Sequence, residues 1–287
     1  MKSKRILVTG ANGQMGQAFQ RLSLSLKNLE WVFLGKDSLP IEQSRVVENY
    51  LSLVDFDYCI NCAAYTAVDL AETEREVAMN INAHAAGYLM EVCARRKIRL
   101  IHFSTDYVFD GKKNTPYRTD DKTNPVNYYG LTKLEGERAI MQSGGENVII
   151  RTSWLCSVWG KNFVKTMLRL MKEKEEIKVV NDQHGCPTFA SDLAQAVGDI
   201  IIAENFTPGV FHFSNEGPTT WFDFATAIRD EAGYACKVMP IPTEAYPTPA
   251  KRPQYSVLDI EKIRNVYGVA TPAWQASMAR CVVELVK

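Results

Sequence analysis

The chain has 287 residues, enough to form one large domain or a domain with a smaller second lobe. Its 33 Lys and Arg balance 33 Asp and Glu, so no basic excess would attract nucleic acid or anionic lipid. The first residues lack the apolar run of a signal peptide, and no later run approaches the roughly 20 apolar residues of a membrane span. We therefore expect a cytoplasmic protein that has no nucleic-acid or membrane partner.

The seven cysteines are odd in number and lie mostly in apolar segments, which indicates reduced, buried thiols rather than a disulfide framework. Cys59 and Cys62 form a C-x-x-C inside the strand-like run "FDYCINCAAYT". Because no second Cys pair or His pair stands at zinc-ligand spacing, we predict no metal site at this pair.

Strands and helices alternate through about the first 150 residues. The run "KRILVTG" predicts a strand that ends in glycine, and the helical spacing of Met15, Phe19, Leu22 and Leu26 predicts a helix after it. Further strands are predicted in "EWVFLG", "DYCINCAA", "RLIHFST" and "NVIIRTSW". The helices between them are predicted in "SRVVENYLSLV", "EVAMNINAHAAGYLMEVCARRK" and "TKLEGERAIMQSG". This alternation, with nearly continuous apolar strands, predicts a doubly wound parallel sheet, a Rossmann fold.

Beyond Trp154 the alternation is less regular. Helices are predicted in "NFVKTMLRLMKEKEE", "ASDLAQAVGDIIIAE" and "WFDFATAIRDEAG", and strands in "IKVV" and "GVFHFS". The density of proline in "MPIPTEAYPTPAKRP" predicts a surface loop without regular structure. We therefore predict a Rossmann domain of the dinucleotide-binding type over residues 1–152. Residues 153–287 should form mainly a smaller α+β lobe that binds the substrate, with a discontinuous boundary.

Gly10, Gly13 and Gly16 lie between the first strand and the first helix, in "VTGANGQMGQAF". Glycines there allow a tight turn and let backbone N–H groups approach a pyrophosphate at the positive end of a helix. The spacing is G-x-x-G-x-x-G rather than G-x-G-x-x-G, and such a trio can also serve as a simple tight turn. Its position between strand one and helix one favours a dinucleotide site.

The second strand ends in "FLGKDS", where the residue that distinguishes NAD from NADP is expected. An acidic residue there accepts a hydrogen bond from the ribose 2′-OH of NAD, whereas a cation accommodates the 2′-phosphate of NADP. Lys36 favours NADPH. Asp37 leaves NADH open.

Tyr129 and Lys133 stand four residues apart in "NPVNYYGLTKLEGERAI". Residues at this spacing share one face of a helix, so both side chains should project above the carboxyl edge of the sheet. An ammonium group favours the ionised form of a nearby phenol, so we expect Lys133 to lower the pKa of Tyr129 toward neutrality and make it a general acid. Lys133 can also hold ribose hydroxyls of the cofactor. By spacing alone, the pair also fits the start of an amphipathic helix.

Ser104 and Thr105 end the strand "RLIHFST", at the edge where ligands bind in such sheets. The Thr105 hydroxyl can hydrogen-bond a carbonyl oxygen as it becomes an alkoxide. With the glycine turn and the order of the motifs, this strand end favours a catalytic interpretation of Tyr129 and Lys133.

With these motifs in place, the chain resembles the extended short-chain dehydrogenase/reductase superfamily and, within it, the dTDP-4-dehydrorhamnose reductase family. The resemblance covers nearly the whole length and includes "VTGANGQMG", "NCAAYTAVDLAE", "FSTDYVFDG", "YYGLTKLEGE", "NDQHGCPT", "FHFSNEG" and "RPQYSVLD". The glycine turn and Y-x-x-x-K are shared across the superfamily. The combination of "CAAYTAVD", "STDYVFDG" and "DQHGCPT" is far more specific to the family.

The resemblance implies NADPH-dependent reduction of the C4 keto group of dTDP-4-dehydrorhamnose, a 4-dehydro-6-deoxy-L-hexose, to give dTDP-L-rhamnose. It implies that a nucleotide sugar is the partner molecule. Position by position, it implies a catalytic group of Thr105, Tyr129 and Lys133. It implies cofactor contacts by Gly10, Gly13, Gln14, Met15, Gly16, Ala63, Ala64 and Tyr65, and substrate contacts by Asp106 and Trp154. Arg252, after the proline-rich stretch, can add a guanidinium for the nucleotide diphosphate.

The chain departs from the family at two positions. Some relatives bridge a homodimer through magnesium that is held partly by a carboxylate on the first helix, where this chain has Gln17 and Ala18. The resemblance therefore leaves a homodimer open but makes Mg²⁺ doubtful, and we predict no metal ligand. An acidic residue that many relatives carry soon after the second strand is replaced by Pro40.

Two alternatives to a reductase remain open. An epimerase or dehydratase of the same superfamily would keep its cofactor through the cycle, whereas a reductase consumes one NADPH per product. Dehydratases usually add a carboxylate pair beside the strand-end Thr, and here only Asp106 follows Thr105. A non-catalytic subunit, resembling the regulatory subunit of methionine adenosyltransferase, is the other alternative. The intact Thr105, Tyr129 and Lys133 argue against it.

Overall fold

The strands and helices of the protein are defined by a computed structural model that describes residues 3–203 and 205–287. The strands are β1 (Arg5–Thr9), β2 (Glu30–Leu34), β3 (Tyr58–Asn61), β4 (Arg99–Thr105), β5 (Asn147–Thr152), β6 (Leu155–Cys156), β7 (Glu176–Val180), β8 (His184–Gly185), β9 (Thr188–Phe189), β10 (Gly209–His212), β11 (Thr219–Thr220) and β12 (Lys237–Ile241). The helices are α1 (Gln14–Ser23), α2 (Ser44–Leu53), α3 (Arg75–Met79), α4 (Ala85–Arg96), α5 (Tyr128–Gln142), α6 (Phe163–Glu173), α7 (Ala190–Ile202), α8 (Trp221–Ala232), α9 (Glu261–Tyr267) and α10 (Trp274–Val286).

A six-stranded parallel sheet with the order β10-β5-β4-β3-β1-β2 forms the centre of the fold. The predicted Rossmann-type sheet is confirmed. The strand order changes direction at β1, because β2 pairs on one side of it and β3 on the other. In such sheets the crevice outside the carboxyl ends, at this switch point, is where ligands bind.

Helices cover both faces of this sheet, as its apolar strands require. On one face, α1 and α7 bury Phe19 and Val197 against Ile6 and Ile150. On the other face, α2, α4 and α5 share a separate apolar cluster with alternate strand residues such as Leu100. A polar side chain in the interior of these strands, such as His102, is therefore fully buried.

The predicted helix in "EVAMNINAHAAGYLMEVCARRK" is divided in the structure. A π-helical turn over Asn80–His84 separates α3 from α4. Such turns occur often at functional sites. Here it brings Asn82 against α5, and a Cβ on Gly136 of α5 would lie 2.1 Å from the Asn82 carbonyl oxygen. The interruption therefore lets two helices pack closely beside the sheet edge.

The later residues build a second apolar cluster from α6, α8, α10 and the β7–β12 pair. Phe224 is fully buried there, whereas Trp221 and Phe222 are only half-buried. The prediction that the whole proline-rich stretch lacks regular structure is wrong at its start. Residues 237–241 form β12, in which Pro240 pairs with Val179. Proline is tolerated because this two-stranded sheet leaves one side of β12 without a strand that needs its N–H.

Three elements beyond residue 152, β10, α7 and α9, belong to the layers of the central sheet. β10 pairs with β5, and α7 packs on α1. The division of the chain at residue 152 into two functional domains remains a prediction. None of the helices among the described residues combines the length and apolar character that a membrane crossing requires.

Candidate active site

The predicted cofactor turn lies at the switch point of the sheet. Gly10 follows β1 with a positive φ of 61°, and a Cβ there would lie 2.6 Å from the backbone nitrogen of Ala63. A Cβ on Gly16 would come within 2.5 Å of Ala11. These two glycines let the loop, the first turn of α1 and the segment after β3 approach one another.

A cavity of about 390 Å³ opens between this loop and the segment after β3. It is lined by the predicted cofactor residues Gly10, Gly13, Lys36, Ala63, Ala64 and Tyr65, together with others that include Asn12, Leu39 and Glu42. Gln14 and Met15 lie in the first turn of α1, but their side chains point elsewhere. Gln14 Oε1 accepts hydrogen bonds from Ser157 and Asn162, and Met15 is buried in the core. Only their backbone amides remain for an anion at this helix end.

Lys36 is exposed on the wall of this cavity, and its Nζ lies 3.6 Å from Glu42 Oε1. The carboxylate of Glu42 is more buried than the ammonium, with 21% against 75% of the side chain exposed. The cavity wall thus carries both a cation that suits a 2′-phosphate and an anion that suits a 2′-hydroxyl. Sequence reasoning found Lys36 and missed Glu42, since six positions separate them in a loop.

Helix α5 begins in a way that fixes Tyr129. Asn127 is its N-cap: Oδ1 accepts from Gly130 N–H at 2.8 Å, while Nδ2 donates to the Lys251 carbonyl at 2.8 Å. A Cβ on Gly130 would meet the carbonyl oxygen of Tyr107 at 2.2 Å. The rings of Tyr107 and Tyr129 meet edge to face, with centroids 6.1 Å apart. The first turn of α5 is therefore held against the segment that leaves β4.

Thr105 and Asp106 stand at the carboxyl end of β4, and both are buried. Thr105 Oγ1 donates to Asp106 Oδ1 at 2.9 Å and accepts from the Tyr107 N–H. Asp106 Oδ2 is buried and makes no hydrogen bond of regular geometry among the described residues. Burial raises the pKa of Asp106 to about 7, although the Ser256 side chain lies near enough to lower the pKa of this carboxyl group. This carboxyl group is therefore free to accept a hydrogen bond from a ligand hydroxyl.

Tyr129 is half-buried, and its pKa is raised, first by burial and then by the negative charge of Asp106; a hydrogen bond with Thr105 acts in the opposite direction. The predicted lowering by Lys133 is wrong for this arrangement. Lys133 is buried, and its Nζ lies 3.2 Å from His102 Nε2. Burial lowers the pKa of Lys133 to about 8, although Glu137 opposes that shift.

A second cavity, of about 750 Å³, lies on the far side of Tyr107, between the sheet edge and the second apolar cluster. Arg252 lines it, and the guanidinium donates to Asp69 Oδ2 at 2.9 Å. Trp221 also lines it and stacks on Trp154, with centroids 3.5 Å apart. Trp154 has a positive φ of 48°, a strained conformation for a non-glycine residue and one often retained at a ligand site.

Two groups of buried polar residues behind the edge were missed by sequence reasoning. Asn61 Nδ2 lies 3.1 Å from His102 Nδ1, and Asn61 Oδ1 accepts from Thr9 Oγ1 at 2.7 Å. Arg151 forms a two-bond ion pair with Glu137, which also accepts from Ser104. Ser104 therefore turns toward α5. The sequence signal for these buried groups was the presence of polar residues inside otherwise apolar strands.

The cysteines are free thiols, and most are buried. Burial raises the pKa of Cys62. Among residues 3–203 and 205–287, no group of three or more His, Cys, Asp and Glu side chains is arranged to hold a metal ion.

Comparison with known proteins gives a consistent result. The family described as RmlD substrate binding domain matches residues 4–287. A dTDP-4-dehydrorhamnose reductase of Burkholderia thailandensis is 40% identical over 98% of this chain and 99% of its own, and one of Escherichia coli K12 is 39% identical over 98% and 97%. The crystal structure of a dTDP-4-dehydrorhamnose reductase from Bacillus anthracis in complex with NADP has a TM-score of 0.94. It is 36% identical and covers 98% of this chain and 99% of that one. A UDP-glucose 4-epimerase of Thermus thermophilus, at 19% identity and a TM-score of 0.81, shares the fold.

Proposed function

Since the chain belongs to the RmlD substrate-binding domain family, we infer that it is an NADPH-dependent reductase that converts dTDP-4-dehydrorhamnose to dTDP-L-rhamnose. The observation that carries this inference is the juxtaposition at one sheet edge of a glycine turn, the Thr105 hydroxyl and the start of α5. The full-length agreement with reductases of that name supports the choice of substrate.

The residues of the first cavity fit an NADP molecule. Gly10 and Gly16 leave no room for a side chain, so backbone amides at the start of α1 can approach a pyrophosphate. Ala63, Ala64 and Tyr65 form the opposite wall, and Lys36 supplies a cation for the 2′-phosphate. When bound, NADPH supplies the hydride that C4 of the sugar receives. The remaining chemistry is a proton transfer and the stabilisation of negative charge on one oxygen.

We assign the proton transfer to Tyr129. Its raised pKa keeps the phenol protonated at neutral pH, which a reduction requires, because the oxygen at C4 must gain a proton. Thr105 would hydrogen-bond the same oxygen from the end of β4. Lys133, whose pKa is about 8, is mostly an ammonium at pH 7 and would donate to ribose hydroxyls of the cofactor.

We place the sugar nucleotide in the second cavity. Arg252, which is already oriented by Asp69, would meet the diphosphate, since a guanidinium binds phosphate oxygens at two points. Trp221 offers a flat apolar face in this cavity, and Trp154 supports that ring by stacking behind it. Asp106 Oδ2, which is buried and makes no hydrogen bond of regular geometry among the described residues, would accept from a sugar hydroxyl. The cavity is lined by residues from both the edge of the central sheet and the second apolar cluster, so both take part in binding.

The decisive experiment follows nicotinamide absorbance with NADPH and dTDP-4-dehydrorhamnose, and repeats it with NADH and with a UDP-linked analogue. We expect one NADPH to be consumed for each dTDP-L-rhamnose formed. Conversion of the substrate without net loss of NADPH would replace the reductase by an epimerase. No conversion of any keto sugar, together with stoichiometric capture of a protein partner, would favour a non-catalytic subunit.

Replacing Tyr129 by Phe should remove the proton donor and lower kcat by roughly a hundredfold to ten-thousandfold, which is the range for general acid catalysis. Tyr128→Phe is the matched control, because Tyr128 is the preceding residue and its ring packs against the Arg75 guanidinium 4.9 Å away. The control should keep nearly full activity. A Tyr129→Phe enzyme as fast as the wild type would remove Tyr129 from the catalytic group.

A further inference from the structure

Three buried polar side chains form a row across the sheet that ends at Lys133. Thr9, Asn61 and His102 are register neighbours on β1, β3 and β4. Each is at most 1% exposed. The row is continuous: Thr9 Oγ1 to Asn61 Oδ1 is 2.7 Å, Asn61 Nδ2 to His102 Nδ1 is 3.1 Å, and His102 Nε2 to Lys133 Nζ is 3.2 Å. Such a row in an otherwise apolar sheet requires every polar atom to find a partner.

The orientation of the Asn61 amide is determined by a backbone group. Ala63 N–H donates to Asn61 Oδ1 at 3.2 Å, and an N–H can only donate. The carbonyl oxygen of the amide therefore faces Ala63 and Thr9. The NH₂ group must face His102, where it can donate only to a ring nitrogen that carries no proton.

The tautomer of His102 follows from this orientation. Nδ1 accepts from Asn61, so the proton of the neutral ring is on Nε2. Burial and the charge of Lys133 hold the pKa of His102 well below its usual range, which keeps the ring neutral. The group that faces Lys133 Nζ is thus an N–H donor. It can hydrogen-bond a neutral amine, but two donors oppose each other when Lys133 is an ammonium.

We propose that His102 is a positioning residue for Lys133: its Nε2–H borders Nζ on the inner side and turns the ammonium's own N–H groups outward, toward the Tyr129 phenol and the cofactor ribose. This role rests on the proposed function of Lys133. The contact between His102 Nε2–H and Nζ also disfavours the charged form of Lys133, which keeps the pKa of Lys133 close to the pH at which the enzyme works.

Other polar groups lie on the elements that pack around Lys133. On α5 itself, Glu137 favours the ammonium, but it is already paired with Arg151 on β5. Asp106, at the end of β4, acts on the neighbouring Tyr129. The π-helical turn contributes the neutral amide of Asn82, which donates to Thr132. His102 is the group that approaches Nζ from the interior of the sheet.

Two substitutions separate positioning from simple structural support. His102→Asn keeps an oxygen near the position of Nδ1 to accept from Asn61, but it removes the Nε2–H that faces Lys133. Thr9→Val removes a different bond of the same row and leaves Asn61 oriented by Ala63. Both should reduce stability: Thr9→Val because the Asn61 oxygen loses one hydrogen-bond donor, and His102→Asn because the smaller side chain leaves a cavity in the sheet interior.

Only His102→Asn should change the pH dependence. We expect the alkaline limb of its kcat profile to move upward by roughly one pH unit, because the donor that disfavours the ammonium is gone. Its kcat at the optimum should fall by roughly tenfold to a hundredfold, because Nζ is no longer directed at its targets. An unmoved limb in His102→Asn, or an equal movement in Thr9→Val, would overturn the proposal.

A measurement on the unaltered protein covers the case in which His102→Asn fails to fold. The chain has four histidines, so ¹⁵N-imidazole labelling gives few signals to assign. We expect His102 to carry its proton on Nε2 from pH 6 to 9 and to respond to the titration of Lys133 near pH 8. A proton on Nδ1 would refute the positioning role. Since this readout needs no turnover, it is independent of the reductase assay.

Discussion

Lys36 and Glu42 carry opposite charges on one wall of the cofactor cavity, and this pair should set the preference between the two nicotinamide cofactors. We expect Lys36→Ala to lower kcat/KM for NADPH roughly tenfold, the scale of one charged hydrogen bond, while kcat/KM for NADH stays nearly constant. Glu42→Gln should change the ratio in the opposite direction, severalfold in favour of NADPH, because Lys36 loses its competing anion.

Steady-state kinetics with both cofactors would measure these changes. Lys27→Ala is the control, since Lys27 is an exposed lysine outside the cavity lining. If Lys36→Ala lowered kcat/KM equally for NADPH and NADH, Lys36 would not bind the 2′-phosphate.

At this scale, the sequence predicts contacts that are local and misses those that depend on register. Tyr129 and Lys133 could be assigned to one site because a helix places residues four apart on one face. The contact of Lys133 with His102 could not be predicted, because it spans 31 positions and depends on the depth of His102 along β4. The predicted pKa of Tyr129 failed for the same reason, since the lysine contacts the sheet interior.

At the level of secondary structure, the start of α5 is stabilised by Asn127 through both side-chain atoms, Oδ1 and Nδ2. Oδ1 caps the helix, and Nδ2 holds Lys251, next to Arg252. Asn127→Ala should lower the free energy of unfolding by about 1 to 2 kcal/mol, the usual cost of losing a cap. Asn127→Asp keeps the cap oxygen and should preserve most of that stability. Because it cannot donate to Lys251, it should raise KM for the sugar nucleotide severalfold.

Urea denaturation and substrate KM would distinguish the two roles of Asn127. If Asn127→Ala and Asn127→Asp lost the same stability and showed the same KM, the two atoms would not act separately. Such a result would also mean that the hydrogen bond from Asn127 to Lys251 does not contribute to substrate binding.

The ends of strands and helices can be predicted from the local sequence only where pairing or packing with a distant segment does not change them. The strands of the central sheet could be predicted because each is a short apolar run bounded by turns. β12 was missed because five prolines between residues 240 and 253 indicate a loop, whereas pairing with β7 keeps residues 237–241 extended. The π-helical turn was missed because the contact that accompanies it, between Asn82 and Gly136 of α5, is not local in sequence.

In the whole molecule, the central sheet and the second apolar cluster are connected by residues that also surround the candidate active site. β10 enters the central sheet from beyond residue 208, a pairing with β5 that spans about 60 positions and that no local pattern could indicate. Asp69 and Arg252 connect the segment after β3 to the end of the proline-rich stretch. Substrate binding and the packing of the two clusters are therefore expected to depend on each other.

Three buried titratable groups should dominate the pH dependence of folding between pH 5 and 6. The pKa of His212 is lowered to about 3, and that of His102 is also strongly lowered, chiefly by burial, so both stay neutral in the native state. Both become protonated on unfolding, since the ordinary pKa is about 6.5. Asp106, whose pKa is about 7, holds a proton in the native state that it loses on unfolding. The unfolded chain thus binds about one proton more than the native protein.

Stability should therefore rise with pH across this window, by about 1.4 kcal/mol per pH unit for one proton. Asp106→Asn removes the opposing group, so its slope should approach twice that value. Its gain in stability over the wild type should accumulate up to about pH 7 and stay constant above it, where Asp106 is ionised in both the native and the unfolded states. Denaturant unfolding at several pH values measures both slopes. Equal slopes for the two proteins would mean that Asp106 is ionised in the native state at pH 5, and Oδ2 would then need a cationic partner.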